Sequence, residues 1–153
     1  GLAVLAEYLV GGLDVARLRL LAGRVVAADL LLDGATFIEC YRELTETYHF
    51  WPKVAFDLTT RIYQAGGFIK DIIYMRGLVR LMRHLEKGGE LEPLFVGKIA
   101  EKHIPAIKEL QVRGIIKPPP LMPGYLKSED AIRRLERVRK GMELTNLLEK
   151  EVA

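Results

Sequence analysis

Apolar residues recur every three to four positions along most of the chain, and glycines or prolines interrupt the pattern at intervals. This spacing is typical of amphipathic α-helices, whereas the alternation of a half-buried strand is nearly absent. The pattern predicts helices over residues 1–10, 14–32, 36–47, 52–65, 70–87, 97–113 and 129–150. We therefore predict an all-α fold, arranged as an orthogonal multi-helix bundle.

Helix boundary signals support this assignment at several points. Asp14 and Ser128 stand where N-caps are expected, and Thr36 with Glu39 has the spacing of a capping box. Pro52 suits the first position of a helix, because proline lacks the backbone N–H that would be unsatisfied there. The second, third, fourth and last helices should therefore begin close to these residues.

Prolines also mark where helices cannot continue. Pro105 either kinks the sixth helix or marks its true start, because proline lacks a donor and clashes with the preceding turn. Further along, three consecutive prolines favour polyproline II within residues 115–126. We expect this extended segment to lie across the domain, with Leu121, Met122 and Tyr125 packed on the helices.

Length and charge bound the number of domains and the class of partner. The 153 residues are enough for one domain with a hydrophobic core. The last helix is highly charged and has only a thin apolar stripe, so we divide the chain into a helical domain, 1–126, and a charged C-terminal helix, 127–153. The net charge is only +3 and basic residues are interleaved with acidic ones, which does not favour nucleic-acid binding.

Two small residues within the helices carry information about packing and compartment. Cys40 is the single cysteine, which fits a reducing compartment, and its helical position indicates packing rather than a nucleophile. Gly23 costs about 1 kcal/mol against alanine inside a helix, which indicates close helix contact there. No apolar run approaches the ~20 residues of a membrane span, and no signal peptide is evident. We expect a cytoplasmic protein without a membrane partner.

The first helix begins in the middle of its pattern, without an N-cap. We expect the chain to be the C-terminal part of a longer protein, with the upstream part of the same polypeptide as its first partner. A truncated first helix exposes apolar surface, which could also pair two copies of the chain as a homodimer.

The stretch over residues 66–77, Gly-Gly-Phe-Ile-Lys-Asp-Ile-Ile-Tyr-Met-Arg-Gly, places three polar groups near the start of a helix. Lys70 and Tyr74 are four residues apart and share one helix face. Asp71 lies in the first turn, where a carboxylate meets the positive end of the helix dipole. The same residues also suit a plain interhelix turn with a charged first helical turn.

This stretch resembles a segment of the QEGLA-motif proteins, which are named in bacteria for an effect on flavohaemoglobin expression. Those proteins are similar to the microtubule-associated tyrosine carboxypeptidases of animals. Residues 1–8 resemble the family signature just after its Gln-Glu pair, and residues 91–99 resemble a further family stretch. The resemblance covers residues 1–125.

The resemblance implies a zincin-like metallopeptidase whose zinc site lies outside this chain. The family is expected to carry His-Glu-x-x-x-His on an earlier helix and a third ligand, a glutamate, just before Gly1. Within the chain, His49, His84 and His103 belong to no zinc-binding pair. We therefore expect zinc in the full-length protein, and no metal ligand, no cofactor and no activity in this part alone.

The resemblance assigns to this chain the part of the active site that binds the substrate. A carboxypeptidase needs a cation for the terminal carboxylate and a group that polarises the scissile carbonyl. We predict that Lys70 or Arg61 receives the carboxylate, with Asp71 in the same substrate-binding set, and that Tyr74 acts as the catalytic donor to the oxyanion or orients the substrate. The alternative is that Lys70 and Asp71 are structural and Tyr74 is a packing residue.

Two functions of different classes follow. The first is the C-terminal helical part of a zinc metallocarboxypeptidase that releases C-terminal tyrosine or phenylalanine from peptides or proteins. The second is a non-catalytic helical interaction or regulatory module, which would suit the name of the bacterial proteins. Upstream sequence discriminates between them, because only the enzyme requires the zinc motif.

Overall fold

The structure, a computed structural model, describes residues 1–64 and 71–148. Within these ranges it contains α-helices, short 3-10 turns and one π-helical turn but no strand, so the predicted all-α class is confirmed. The α-helices are α1 (Leu2–Leu9), α2 (Val15–Leu32), α3 (Phe37–Arg42), α4 (Pro52–Gln64), α5 (Asp71–Glu86), α6 (Ile104–Val112) and α7 (Glu129–Arg139). The orthogonal arrangement stays a prediction.

The chain divides into two compact units. The central unit is Asp14–Arg76, and the discontinuous unit combines Gly1–Leu13 with Gly77–Ala153. Helix α5 begins in the central unit and continues into the discontinuous one. The division of the chain into 1–126 and 127–153 stays a prediction.

The predicted boundary signals act as caps in the structure. The Asp14 side chain accepts a backbone hydrogen bond in the first turn of α2, and Ser128 does the same for α7. Thr36 and Glu39 form the reciprocal capping box of α3, and α4 begins at Pro52. Each cap satisfies backbone donors that a helix leaves open at its start, which is why these local signals located the helices.

The core of the central unit is formed by α2, α3 and α4. Its buried residues include a cluster that also takes in the first turn of α5: Ala27, Ala28, Cys40, Leu44, Ala55, Leu58, Ile62 and Ile72. A Cβ atom at Gly23 would lie 2.7 Å from Phe50 Cζ and 3.0 Å from Leu58 Cδ1. The close contact predicted at Gly23 is therefore confirmed.

The discontinuous unit is held by α1, the later turns of α5, and α7. Its buried apolar residues include Val4, Leu5, Leu9, Leu78, Leu81, Leu85, Ala131 and Val138. Arg134 of α7 donates a hydrogen bond of 2.9 Å to the carbonyl of Leu9, at the C-terminal end of α1. A cation at that end is favoured because helix carbonyls leave partial negative charge there.

Helical spacing alone gives the wrong side of the helix at several apolar positions. In α5 it predicts Ile73 on the inner face, but Ile73 is 65% exposed, while Ile72 and Met75 are buried. In α2 it predicts Val15 and Leu32 on the inner face, and both are exposed. Spacing alone does not show which of two adjacent isoleucines lies on the inner face of a helix. Residues at helix ends lie beyond the packed partner helix.

Two further helices differ from their predicted bounds. The helix predicted over residues 97–113 begins at Ile104, which confirms the interpretation of Pro105 as a true start, near the first helical position. The helix predicted over 36–47 is an α-helix only to Arg42 and continues as a π-helical turn over Glu43–Thr47.

The C-terminal helix is shorter than predicted. Helix α7 ends at Arg139, and a 3-10 turn follows over Leu144–Leu148. Between them Gly141 has φ +82°, a left-handed conformation that glycine adopts at little cost and that ends a helix.

The stretch predicted to be extended over residues 115–126 bends at Pro120 and enters a 3-10 turn over Gly124–Lys127, and it is not packed as predicted. Leu121 is 84% exposed and Met122 is also exposed, whereas Tyr125 is half-buried. No helix in the part of the chain that the structure describes is long and apolar enough to cross a bilayer.

Replacing Gly23 with alanine should lower the free energy of unfolding by about 1 kcal/mol. The added methyl group improves helix propensity by about 1 kcal/mol, but forcing it against Phe50 and Leu58 costs about 1–3 kcal/mol. Urea denaturation of the chain measures the difference.

The control is the double variant Gly23→Ala, Phe50→Leu, which removes the nearer obstacle. Its loss in free energy of unfolding should be smaller than the sum of the losses in Gly23→Ala and Phe50→Leu alone. A Gly23→Ala variant more stable than the natural chain would contradict the tight contact.

The capping box of α3 should make stability depend on pH. Hydrogen bonds from the side chain and backbone of Thr36 lower the pKa of Glu39. A carboxyl group whose pKa is lowered in the folded state stabilises the fold at pH values above its ordinary pKa. This contribution is lost as the pH falls through the lowered pKa. The stability lost in Glu39→Gln should therefore be largest above pH 4.5, the ordinary value for Glu39, and shrink below it. Urea denaturation at several pH values measures it.

The matched control is Glu46→Gln, which changes an exposed glutamate of the same unit outside the capping box. A loss in Glu39→Gln that stays constant with pH, or that Glu46→Gln reproduces, would show that the capping box does not cause the dependence.

Candidate functional site

Tyr74 lies in the first turns of α5, on the side of the helix that faces solvent. Its side chain is 40% exposed, and its neighbour Ile73 is more exposed still. Ile72, two residues earlier, is buried. Since positions two apart on a helix point in nearly opposite directions, burial of Ile72 orients Tyr74 outward. The predicted catalytic tyrosine is thus accessible to a substrate.

Arg61 lies in the last turn of α4 and is exposed. Its neighbour Ile62 belongs to the same buried cluster as Ile72. This cluster holds the end of α4 and the start of α5 in one core, both within the central unit. The helix ends that carry Arg61 and Tyr74 are therefore fixed by packing of apolar side chains.

The side chains of two predicted substrate-binding residues, Lys70 and Asp71, lie outside the part of the chain that the structure describes. Lys70 lies outside the described residues, as does the glycine pair before it. Asp71 is the first residue of α5, as a first-turn carboxylate should be, but its side chain also lies outside the described residues. The structure therefore places two of the four predicted side chains, Arg61 and Tyr74.

Cys40 is fully buried in the central unit. The hydroxyl of Thr59 lies 3.7 Å from its Sγ, and burial raises the pKa of the Cys40 thiol above its ordinary value. A raised pKa disfavours the thiolate, which is the nucleophilic form. The prediction that Cys40 is a packing residue is confirmed.

The described residues do not supply a metal centre. They contain no group of three or more histidine, cysteine, aspartate or glutamate side chains placed to hold a metal ion. His84 contacts the carbonyl of Glu90 through Nε2 at 3.0 Å, an arrangement at the end of α5. A zinc ion therefore does not fit the residues that the structure describes.

Two polar arrangements have no signal in the sequence pattern. Tyr63 donates hydrogen bonds to the carbonyls of Ala35 and Thr36, at 2.5 and 3.1 Å, and so ties α4 to the start of α3. Arg19 donates to the carbonyls of Tyr48 and His49. Both pairings join residues about thirty positions apart, and local spacing carries no signal for such contacts.

Comparison with known proteins identifies a family for the chain. None of the curated proteins and none of the solved structures compared with the chain matches it. The family model described as microtubule-associated tyrosine carboxypeptidase matches residues 1–143. Because this match spans nearly all of the 153 residues, the chain belongs to the microtubule-associated tyrosine carboxypeptidase family.

Proposed function

We propose that the chain is the helical, substrate-binding portion of a zincin-like, zinc-dependent carboxypeptidase that releases tyrosine or phenylalanine from the C-terminus of peptides or proteins. The observation that carries the proposal is the family match over residues 1–143. The solvent-facing first turns of α5 support it, since a carboxypeptidase must admit the end of another chain.

The terminal carboxylate of the substrate binds to Lys70 or Arg61. A guanidinium can hold a carboxylate through two parallel hydrogen bonds, and an ammonium acts as a compact point charge. Arg61 is exposed at the end of α4, where an approaching chain end can reach it. Asp71 belongs to the same substrate-binding set.

Tyr74 donates a hydrogen bond from its phenol to the oxygen that gains negative charge as the peptide bond breaks. Donors directed at that oxygen stabilise the transition state more than the substrate, because the charge is present only there. The exposed Ile73 beside it offers an apolar contact. The first turns of α5 therefore present the Tyr74 donor beside an exposed apolar side chain, Ile73.

A zinc ion held by the rest of the polypeptide would supply an activated water and polarise the scissile carbonyl. The described residues offer it no group of ligands. The part of the reaction proposed for this chain is therefore to bind the chain end and orient it, and the chain alone is inactive.

Removing the Tyr74 hydroxyl should slow catalysis by the intact protein. Tyr74→Phe keeps the ring, so peptide binding and KM should change little, while kcat falls roughly 100-fold, as for loss of one oxyanion donor. Release of tyrosine from a peptide ending in tyrosine, followed by mass spectrometry, measures the rate.

Tyr48→Phe is the matched control, because Tyr48 is 43% exposed and lies in the same unit. Arg19 donates its hydrogen bond to the backbone carbonyl of Tyr48 and not to the hydroxyl, so the control variant leaves that contact intact. Equal kcat values in Tyr74→Phe and Tyr48→Phe would remove Tyr74 from the catalytic role, and no release by the natural protein would overturn the carboxypeptidase proposal itself.

A second comparison identifies the carboxylate partner. The variant that removes the cation bound to the terminal carboxylate, Lys70→Ala or Arg61→Gln, should raise KM for the peptide with a free C-terminal acid. It should also reduce the preference of the enzyme for this peptide over the same peptide with a C-terminal amide. The amide lacks the charge that the cation recognises, so natural enzyme should strongly prefer the acid. Steady-state kinetics with both peptides gives the ratio for each variant.

Arg42→Gln controls for loss of a positive charge, because Arg42 is exposed in the same unit at the end of α3. If Lys70→Ala and Arg61→Gln both keep the full preference for the acid, neither residue binds the carboxylate.

A further inference from the structure

A loop of exposed aromatic residues connects the π-helical turn to α4. We call residues 48–51 the aromatic loop. Trp51 is 81% exposed and Tyr48 is 43% exposed, although large aromatic side chains normally contribute to a core. Glu46, in the turn just before, is exposed as well. The loop therefore offers two aromatic faces and a carboxylate within a short stretch of chain.

The aromatic loop is held in one conformation. Arg19 of α2 donates to the carbonyls of Tyr48 and His49 at 2.6 and 2.9 Å, and its guanidinium lies 4.8 Å from the centre of the Phe50 ring. His49 has φ +52°, a left-handed conformation that few residues other than glycine adopt. A loop fixed in this way loses little conformational entropy when it binds a partner.

A second exposed feature lies in the discontinuous unit. We call residues 117–123, Lys-Pro-Pro-Pro-Leu-Met-Pro, the proline segment. Lys117 and Leu121 are exposed along it. Residues that precede a proline are restricted to extended or polyproline II conformations, so most of the segment is extended in advance. Pro123 has φ −56° and ψ 129°, close to polyproline II.

The chain bends at Pro120, the member of the proline run that is not followed by another proline. Binding in the polyproline II conformation therefore requires this bend to straighten. In a polyproline II helix, with three residues per turn, Lys117, Pro120 and Pro123 then line one edge.

The two features are chemically complementary. Extended proline-rich segments bind to exposed aromatic rings, and an acidic group beside the rings selects a basic residue in the segment. We propose that the aromatic loop of one copy binds the proline segment of a second copy. Trp51 and Tyr48 contact Pro120 and Pro123, and Glu46 faces Lys117.

Trp51 is the single tryptophan of the chain, so its fluorescence reports on this loop alone. A synthetic peptide of residues 115–124 is added to the full chain. The proposal predicts a saturable blue shift of the emission, because the indole ring leaves water. The same peptide with both Pro120→Ala and Pro123→Ala should cause none, and one with Lys117→Glu should bind a few-fold more weakly.

The full chain is then examined by light scattering over a range of concentrations. Its mass should rise with concentration, and Trp51→Ala should weaken self-association at least about tenfold. Ile38→Ala is the control, since Ile38 is a large, exposed apolar residue of the same unit and should leave association unchanged. Circular dichroism of both variants verifies that the helices are intact.

Emission that does not respond to the natural peptide overturns the proposal. So does a mass that stays that of a monomer at every concentration, even if the peptide binds, because the occupant would then not be a second copy. Equal binding of the natural and the proline-free peptide would likewise rule out polyproline recognition.

Discussion

The close approach of α2 to Phe50 and Leu58, which the absence of a side chain at Gly23 leaves room for, is the constraint on which the central unit depends. With the ring of Phe50 seated there, Arg19 can stack on it and hold the carbonyls that follow the π-helical turn. Leu58 extends the same packing into the buried cluster that contains Ile62 and Ile72. The packing at one small residue thus adjoins both the contacts that hold an exposed loop and the cluster that includes the first turn of α5.

The elements of the fold were predictable where the signal is local. A capping box needs residues three apart, and Thr36 with Glu39 located its helix correctly. Prediction failed where the answer depends on distant partners: the order Ile72–Ile73 cannot show which isoleucine meets the core. The last helix was extended too far because its charged pattern continues past Gly141, whose backbone conformation ends it.

The candidate site was predictable only in part. Spacing placed Tyr74 near the start of a helix, and its exposure follows from the burial of Ile72. The predicted role of Arg61 as a carboxylate-binding residue rests on the charge of its side chain and on the family resemblance. Neither shows where its side chain lies in the fold. The contact of Arg19 with the loop carbonyls was not predictable, because an arginine can reach many backbone acceptors and nothing in its neighbours selects one. Polar contacts over long sequence separation are the part of a site that a single sequence conceals.

The hydrogen bond from Arg134 to the carbonyl of Leu9 joins residues 125 positions apart. In the order of synthesis, α1 comes before the central unit, whereas α7, which packs with it in one unit, comes after it. The central unit, by contrast, is contiguous and can fold as soon as its own residues have emerged. Helix α1 therefore lacks its contacts with α7 while the central unit is being made, and the discontinuous unit closes only when α7 is complete.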